Sequence, residues 1–455
     1  MLRHLVEGET QWSIFLLNGS EWFAYGLLLV GAAAGFCLAI GYHTRTATIV
    51  SWVLWRSLFV RMPIISNGAD SVIRNLLFWC MFLPLGARWS IDTGQQSVYS
   101  RSRISTLPGA ALLLQVAFVY WFGVALKNDP VWRVTGTALQ MALNIDEMVR
   151  PFGVWLRGHT ELCRWMTFAT LWVEALGPCV ALLPFRHTAA RITAVVCMVA
   201  LHFGIALCFD LGPFPLVMAC AWAAFLPSGF WEIVKTFCDW IANRFVWLKV
   251  FAQTAQVHFK IFTTWFNVAS KNCARPCNYG LRPSLPVNIF AISCLSFTFA
   301  WNLRTTDFER HEKWFPRSLN SFAFMFGLDQ CWSMFAPKPL QETGWFIFSA
   351  HLTDGSDVDF LREGKAISWE KPKQVHTLFR DHRWQKLLMN LWQERYCPHR
   401  RAFCDYLCHE WNAEHNGSRH VTGFEFYFMA EHSDVDGKVH PVEKLLLCKN
   451  ERYWQ

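Results

Sequence analysis

AALLLQVAFVYWFGVALKNDPVW, residues 110 to 132, decides what class of protein this chain is. A predominantly apolar run of about twenty residues is long enough to cross the hydrocarbon of a bilayer as a helix, and this one stops abruptly at Lys127, Asn128, Asp129 and Pro130. A lysine at the end of such a span has two readings. As an interfacial anchor, its stem snorkels and its ammonium meets the headgroups. At the mouth of a membrane cavity it is partly desolvated instead, and its neutral amine can act as a base.

Composition extends the membrane reading to the whole chain. Of 455 residues 53% are hydrophobic and only 17% charged, where soluble proteins average about 25% charged. Twenty-five tryptophans and 39 phenylalanines suit the two aromatic belts of a bilayer protein. The net charge of +8 could point to nucleic acid, but no basic helix is interleaved with aromatics, and the cations fall in connections beside apolar runs. Of the 16 cysteines, Cys37, Cys80, Cys163, Cys179, Cys197, Cys208 and Cys220 lie in or beside the runs, where they behave as small apolar residues. Cys397, Cys404 and Cys408 with His399 and His409 fit no zinc spacing, so no metal is expected. Walker loop, dinucleotide fingerprint, Ser-His-Asp arrangement and EF-hand are all missing from the sequence.

Taken in order, the spans expected are about 21–43, 46–65, 71–85, 110–127, 161–185, 192–209, 215–227 and 287–303. Residues 1–20 lack signal-peptide architecture. Arg56 and Arg61 are costly against lipid and are expected to face the bundle interior. Asn67 and Gly68 read as turn residues that tolerate positive φ, and Asp70 as a partner for a bundle cation such as Arg74. Glu174 and His202 lie inside spans. A carboxylate at that depth needs a partner, and together with Lys127 these two have the chemistry of a proton relay or a quinone headgroup site. In the 128–159 loop, 132–139 and 151–156 read as interfacial pieces able to roof a cavity over Lys127, and the basic segment 228–286 as amphipathic and membrane-surface bound.

From residue 304 polar residues rise and alternation appears at 344–352 and 423–430, which reads as strand, with Asp354-Gly355-Ser356 a hairpin turn and 383–412 helical. The fold expected is therefore a polytopic α-helical membrane bundle of about eight spans (1–303), followed by an α+β or mainly β extramembrane domain (304–455). One set of connections carries Arg45; Arg88, Arg101 and Arg103; Arg186 and Arg191; and the basic segment, while the opposite set is poorer in cations despite Arg133, Arg150 and Arg157. The positive-inside rule makes the first set cytoplasmic and places the Lys127 end and the C-terminal domain on the lumenal or periplasmic side. The sequons Asn18-Gly19-Ser20 and Asn416-Gly417-Ser418 would then be accessible in a eukaryotic host.

Val119-Tyr120-Trp121-Phe122-Gly123-Val124-Ala125-Leu126-Lys127 and the following Asn128-Asp129-Pro130-Val131-Trp132 resemble the segment that carries the base lysine of vitamin K-dependent gamma-glutamyl carboxylases, and its counterpart in the wider HTTM (horizontally transferred transmembrane) domain proteins. Leu83-Pro84-Leu85-Gly86, the Glu174 and His202 helices, the turn at Gly212-Pro213-Phe214 and the junction Gly327–Pro337 are similar to elements of the same family. The resemblance implies a reduced, vitamin K-like quinone as cofactor, deprotonated by the lysine so that it reacts with oxygen to give a strong base. It gives that role to Lys127, with Glu174 and His202 beside it, and implies membrane lipids and a secreted peptide or protein substrate as partners, with no nucleic acid. The chain departs from the family in two places. The helix that usually precedes a segment like Trp12-Ser13-Ile14-Phe15 does not occur in the sequence as it stands, as expected either of a truncated sequence or of a member that lacks it, and no histidine occurs between His43 and His159, where the carboxylases carry an important one, which counts against glutamate carboxylation itself. The other classes that fit are a transporter or an export or maturation factor with an intramembrane Lys/Glu/His site, and a structural membrane scaffold.

Overall fold

Each apolar stretch folds as a helix: α1 (Glu21–Ile40), α2 (Thr44–Arg61), α3 (Gly68–Cys80), α4 (Leu107–Leu126), α5 (Thr160–Ala181), α6 (His187–Cys208), α7 (Phe214–Trp222), then α8 (Ser228–Arg244) and α9 (Leu285–Thr306). This computed structural model describes residues 11–87, 90–93, 106–244, 283–307, 315–316, 318–415, 417–432 and 440–450. Arg88, Arg101, Arg103, residues 1–10, residues 245–282 of the basic segment and Asn416 of the second sequon lie outside the described residues.

The expected eight spans are reduced when helix length is considered. Among the described residues four helices, α1, α4, α6 and α9, are long and apolar enough to cross a membrane, and Phe214–Phe225 with Ser228–Ile241, bent by 107°, makes a fifth candidate. α3 has 13 residues and α7 has 9, which is about 20 and 14 Å of helix against a hydrocarbon core of about 30 Å. α4 is the central helix: half of its span is buried inside the protein, against 6% for α1. Trp22, Leu29 and Phe36 of α1 are left exposed, as suits a helix whose outer face meets lipid.

Arg56 and Arg61 of α2 and the charged residues of α3 turn inward, while Arg45 in the first turn of α2 is exposed. Arg56 is fully buried and donates to the Phe324 carbonyl, and Arg61 donates to the Phe15 carbonyl at 2.9 Å. Asn67 is not a positive-φ residue: at φ −133° it caps α3, its side chain accepting from the Ala69 and Asp70 amides while Asp70 accepts from the Asn67 amide. Nor does Asp70 pair with Arg74. It takes a bidentate Arg383 at 2.5 and 2.7 Å, and Arg74 goes to Asp329 at 3.2 Å, because residues beyond 320 fold back onto this helix.

After α10 (Ser318–Phe326) comes a five-stranded antiparallel sheet in the order β3-β2-β1-β4-β5, with β1 Glu342–Leu352, β2 Asp357–Asp359, β3 Lys365–Ala366, β4 Val421–His432 and β5 Glu443–Asn450. β1 and β2 form the hairpin expected at Asp354-Gly355-Ser356, with Gly355 at φ +83°. The single helix expected over 383–412 is two, α11 (His382–Leu391) and α12 (Cys397–Glu414). Alternate side chains of β1 and β4, Phe346, Phe348, Phe424, Phe426 and Phe428, make the core beneath these helices, as the period of two requires.

This domain seats on one face of the bundle, against the connections that follow α2, α4 and α6. Arg383 and Asn390 donate to the Ile65 and Ile64 carbonyls at 2.8 and 2.6 Å. Gly212, at φ +58°, lies so close to the His382 ring that a Cβ there would come within 2.4 Å of it. In the 143–150 turn, the fully buried Glu147 carboxyl accepts from Thr343 Oγ1 at 2.6 Å and from the Gly344 amide at 3.0 Å, and Gln385 donates to its carbonyl. Burial is the main cause that pushes this carboxyl up to about 7, with the Thr343 bond opposing it. Neighbouring Asp146 holds Lys371 at 2.6 Å and Arg157 at 3.1 Å.

Candidate functional site

α4 ends at Lys127 because the chain turns there: the Lys127 amide still bonds the Gly123 carbonyl, but Asp129 already caps the next short helix, Pro130–Arg133, by accepting from the Val131 amide at 3.0 Å. Arg133 folds back to donate to the Lys127 and Val124 carbonyls at 3.0 and 3.1 Å, satisfying the end of α4. The backbone of Lys127 is thus fixed, and its side chain runs inward. Only 6% of the residue is exposed. Its Nζ lies 2.5 Å from Glu174 Oε2 and 5.1 Å from the Trp132 ring centre, an ion pair under an aromatic roof. Trp132 is held by its own bond to the Phe335 carbonyl at 3.0 Å.

Glu174 sits four residues before Pro178 within α5, and the proline has no amide with which to bond the Glu174 carbonyl. Trp121 of α4 donates to the adjacent Ala175 carbonyl at 3.2 Å, tying this part of α5 to the central helix. The close approach of α5 to α6 depends on Gly177, where a Cβ would lie 2.6 Å from Met198 Sδ.

His202, on α6, is brought elsewhere. Its Nε2 is 2.6 Å from the Tyr120 hydroxyl, which also accepts from Trp222 Nε1 at 2.8 Å. Tyr120 and Lys127 are seven residues apart, two turns of helix on the same side of α4 and about 10 Å along its axis. Glu174 lies within electrostatic reach of the Tyr120 hydroxyl, so the pair and the histidine cluster are neighbours and not one ring of contacts. His202 is 3% exposed, and its Nδ1 has no hydrogen-bond partner among the described residues. Tyr120 and Trp222 were not singled out from the sequence. For Tyr120 a signal existed, a hydroxyl one heptad before Lys127 in an otherwise apolar run; Trp222 had none, since aromatic residues are common throughout.

A second buried polar set joins α3, α4 and α9 to the junction at 327–337. Gln115 Nε2 donates to Gln330 Oε1 at 2.7 Å, Trp332 donates to the same oxygen at 2.9 Å, and Trp301 donates to the Gln330 carbonyl at 3.1 Å. It fixes the junction against α4 and, through Phe335, the roof over Lys127. The short helices Pro130–Arg133, Ala138–Ala142 and Pro151–Arg157 overlap the stretches 132–139 and 151–156 of this loop. Among the described residues no three His, Cys, Asp or Glu side chains converge as metal ligands.

Comparison with known proteins gives a match over part of the chain. Residues 12–230 match the family model described as the HTTM domain, a range that contains Lys127, Glu174, His202, Tyr120 and Trp222 and ends before the sheet domain. No curated protein and no solved structure matches the chain.

Proposed function

Because residues 12–230 are an HTTM domain and the apolar helices make this an integral membrane protein, we propose that the chain is a carboxylase-like membrane enzyme whose Lys127–Glu174 pair removes a proton from a lipid-soluble hydroquinone. The observation that carries the reading is the burial of that pair at 2.5 Å. An anchor lysine would present its ammonium to headgroups and water, whereas this one is enclosed, paired and roofed by Trp132.

The residues present fit a phenolic headgroup. Beside the pair, His202 Nδ1 is buried with no partner among the described residues, which is an unused position for a ligand hydroxyl. When bound, the reduced quinone would supply the redox chemistry with oxygen. The chain's own residues hold and move the proton. Lys127 Nζ would accept the proton from the ligand hydroxyl, and Glu174, 2.5 Å away, is the group placed to receive a proton from Lys127. Tyr120 and His202, within reach of Glu174, offer an onward path, and Trp132 and Phe335 keep water away from the amine.

The topology belongs to the same proposal. The connections after α2, α4 and α6 meet the sheet domain on one face, so α3 with α4, and α5 with α6, each run from that face and back. We read α1 to α7 and α9 as crossing or entering the bilayer, α3 and α7 reaching only part-way, with residues 304–455 as an extracytoplasmic domain. Arg45, Arg186 and Arg191 on the opposite connections support that orientation.

Two measurements test the function. Mass spectrometry of lipids copurified with the full chain should find a bound quinone. Lys127→Arg keeps the charge and the pair with Glu174 but a guanidinium does not release its proton at neutral pH, so lipid-dependent turnover should fall by about 10²- to 10⁴-fold with folding intact. Full activity in that variant would return Lys127 to the role of anchor. A bound quinone absent while proton-coupled transport is retained would favour the transporter reading.

A further inference from the structure

Three cysteines that the proposed chemistry does not use meet in the sheet domain. Cys404 and Cys408, one turn apart on α12, are completely buried among Phe403, Phe424, Phe426 and Phe428. The third, Cys448, is on β5, the edge strand, and is half-buried. Its orientation follows from an irregularity in the strand. Leu445 pairs with Phe428 and Leu446 with Tyr427, but the residue paired with Phe426 is Cys448, so Leu447 is an extra residue in the ladder. With strict alternation Cys448 would point away from the helix side; the bulge brings it onto the face that carries Phe426 and Phe428, beneath α12. There Cys448 packs against the cluster that holds Cys404, and Cys404, Arg401 and Arg400 of α12 lie within electrostatic reach of its sulfur.

We propose that Cys404 and Cys448 are a thiol–disulfide exchange pair, which closes to a disulfide that fastens the edge strand β5 to α12. Cys404 beside it, and then Arg401, lower the Cys448 thiol against the opposing effect of burial, which favours its thiolate, and it is the more accessible of the two. The co-reactant is a disulfide RS–SR, from a small thiol such as glutathione or from a protein oxidant. The Cys448 thiolate attacks one sulfur, the RS–SR bond breaks, and RS⁻ leaves and takes up a proton. Cys404 then gives up its proton and attacks Cys448 Sγ, expelling the second RS⁻, which is protonated in turn. Two protein thiols are oxidised and one RS–SR is reduced to two RSH. The closed loop would hold together residues 404 to 448, which stabilises the domain chiefly by restricting its unfolded chain. An extracytoplasmic location would supply such an oxidant, but the exchange does not depend on any chemistry at Lys127.

The full chain in detergent is treated with oxidised glutathione, remaining thiols are blocked with N-ethylmaleimide, and peptides are mapped by mass spectrometry. A peptide pair joined through Cys404 and Cys448, two hydrogens lighter than the separate peptides and released by dithiothreitol, is expected. It should persist in Cys408→Ala and vanish in Cys448→Ser, and oxidation should raise the melting temperature of the wild type by several degrees but not that of Cys448→Ser. Both cysteines alkylated after oxidation, a glutathione adduct on Cys448 that never resolves, or preferential linkage of Cys404 to Cys408 or Cys397 would each overturn the assignment. Because the wild type and Cys408→Ala both report the linkage, misfolding of the serine variant would not obscure the result.

Discussion

Tyr120 shows how much one side chain can hold in a bundle with little water. Its hydroxyl is the shared partner of His202 Nε2 and Trp222 Nε1, so Tyr120→Phe would leave two buried nitrogens without a partner, each worth on the order of 1–3 kcal/mol. A clear drop in the detergent melting temperature is expected, and an unchanged melt would mean that neither contact matters to the fold. Glu147 makes a pH prediction. Its folded value of about 7 lies above its ordinary 4.5, so the stability linked to it is fully present below about pH 4.5 and is lost as pH rises to about 7, by on the order of 3 kcal/mol. Glu147→Gln should flatten that part of the stability curve. Melts of the two proteins from pH 4 to 8 that run parallel would contradict the assignment.

At the scale of elements, α3 combines a short helix with two long-range tasks. Its capping box sets where it begins, and Asn67→Ala should destabilise it by about 1 kcal/mol. Asp70→Asn is the more telling change. The amide oxygen can still accept from the Asn67 backbone, but the charged half of the Arg383 fork is lost, and with Arg383 38% exposed on its side chain solvent screening limits the effect to about 1–2 kcal/mol. If α11 docks through this pair, Asp70→Asn and Arg383→Gln should lower stability equally, and the double variant no further than either. Additive losses would show that the two residues act separately.

For the whole molecule, the sheet domain and the bundle are joined through the Asp70, Glu147 and Gly212 connections, all on one face. In sealed vesicles, protease sites inserted after Lys271 in the basic segment and after Gly355, in the exposed turn between β1 and β2, should be cut from opposite sides. Cleavage of both from the same side would invert or abolish the proposed topology.

The sequence alone determined the helices, because in lipid every backbone group must be satisfied within the segment and a long apolar run has no other stable form. It determined the strands around Phe346 and Phe426 by their alternation, and it marked Lys127, Glu174 and His202 as the residues that a membrane interior does not hold without reason. What it could not determine was who pairs with whom. Lys127 and Glu174 meet across 47 residues, and Asp70 and Arg383 across 313. Those choices depend on the rotation and approach of packed helices, fixed by contacts such as Gly177 against Met198, and on a domain that folds back over the bundle. Hydropathy tells which face of a helix is buried, but the partner of a buried charge is set by distances of a few ångströms between elements far apart in the chain, and only the tertiary structure supplies those.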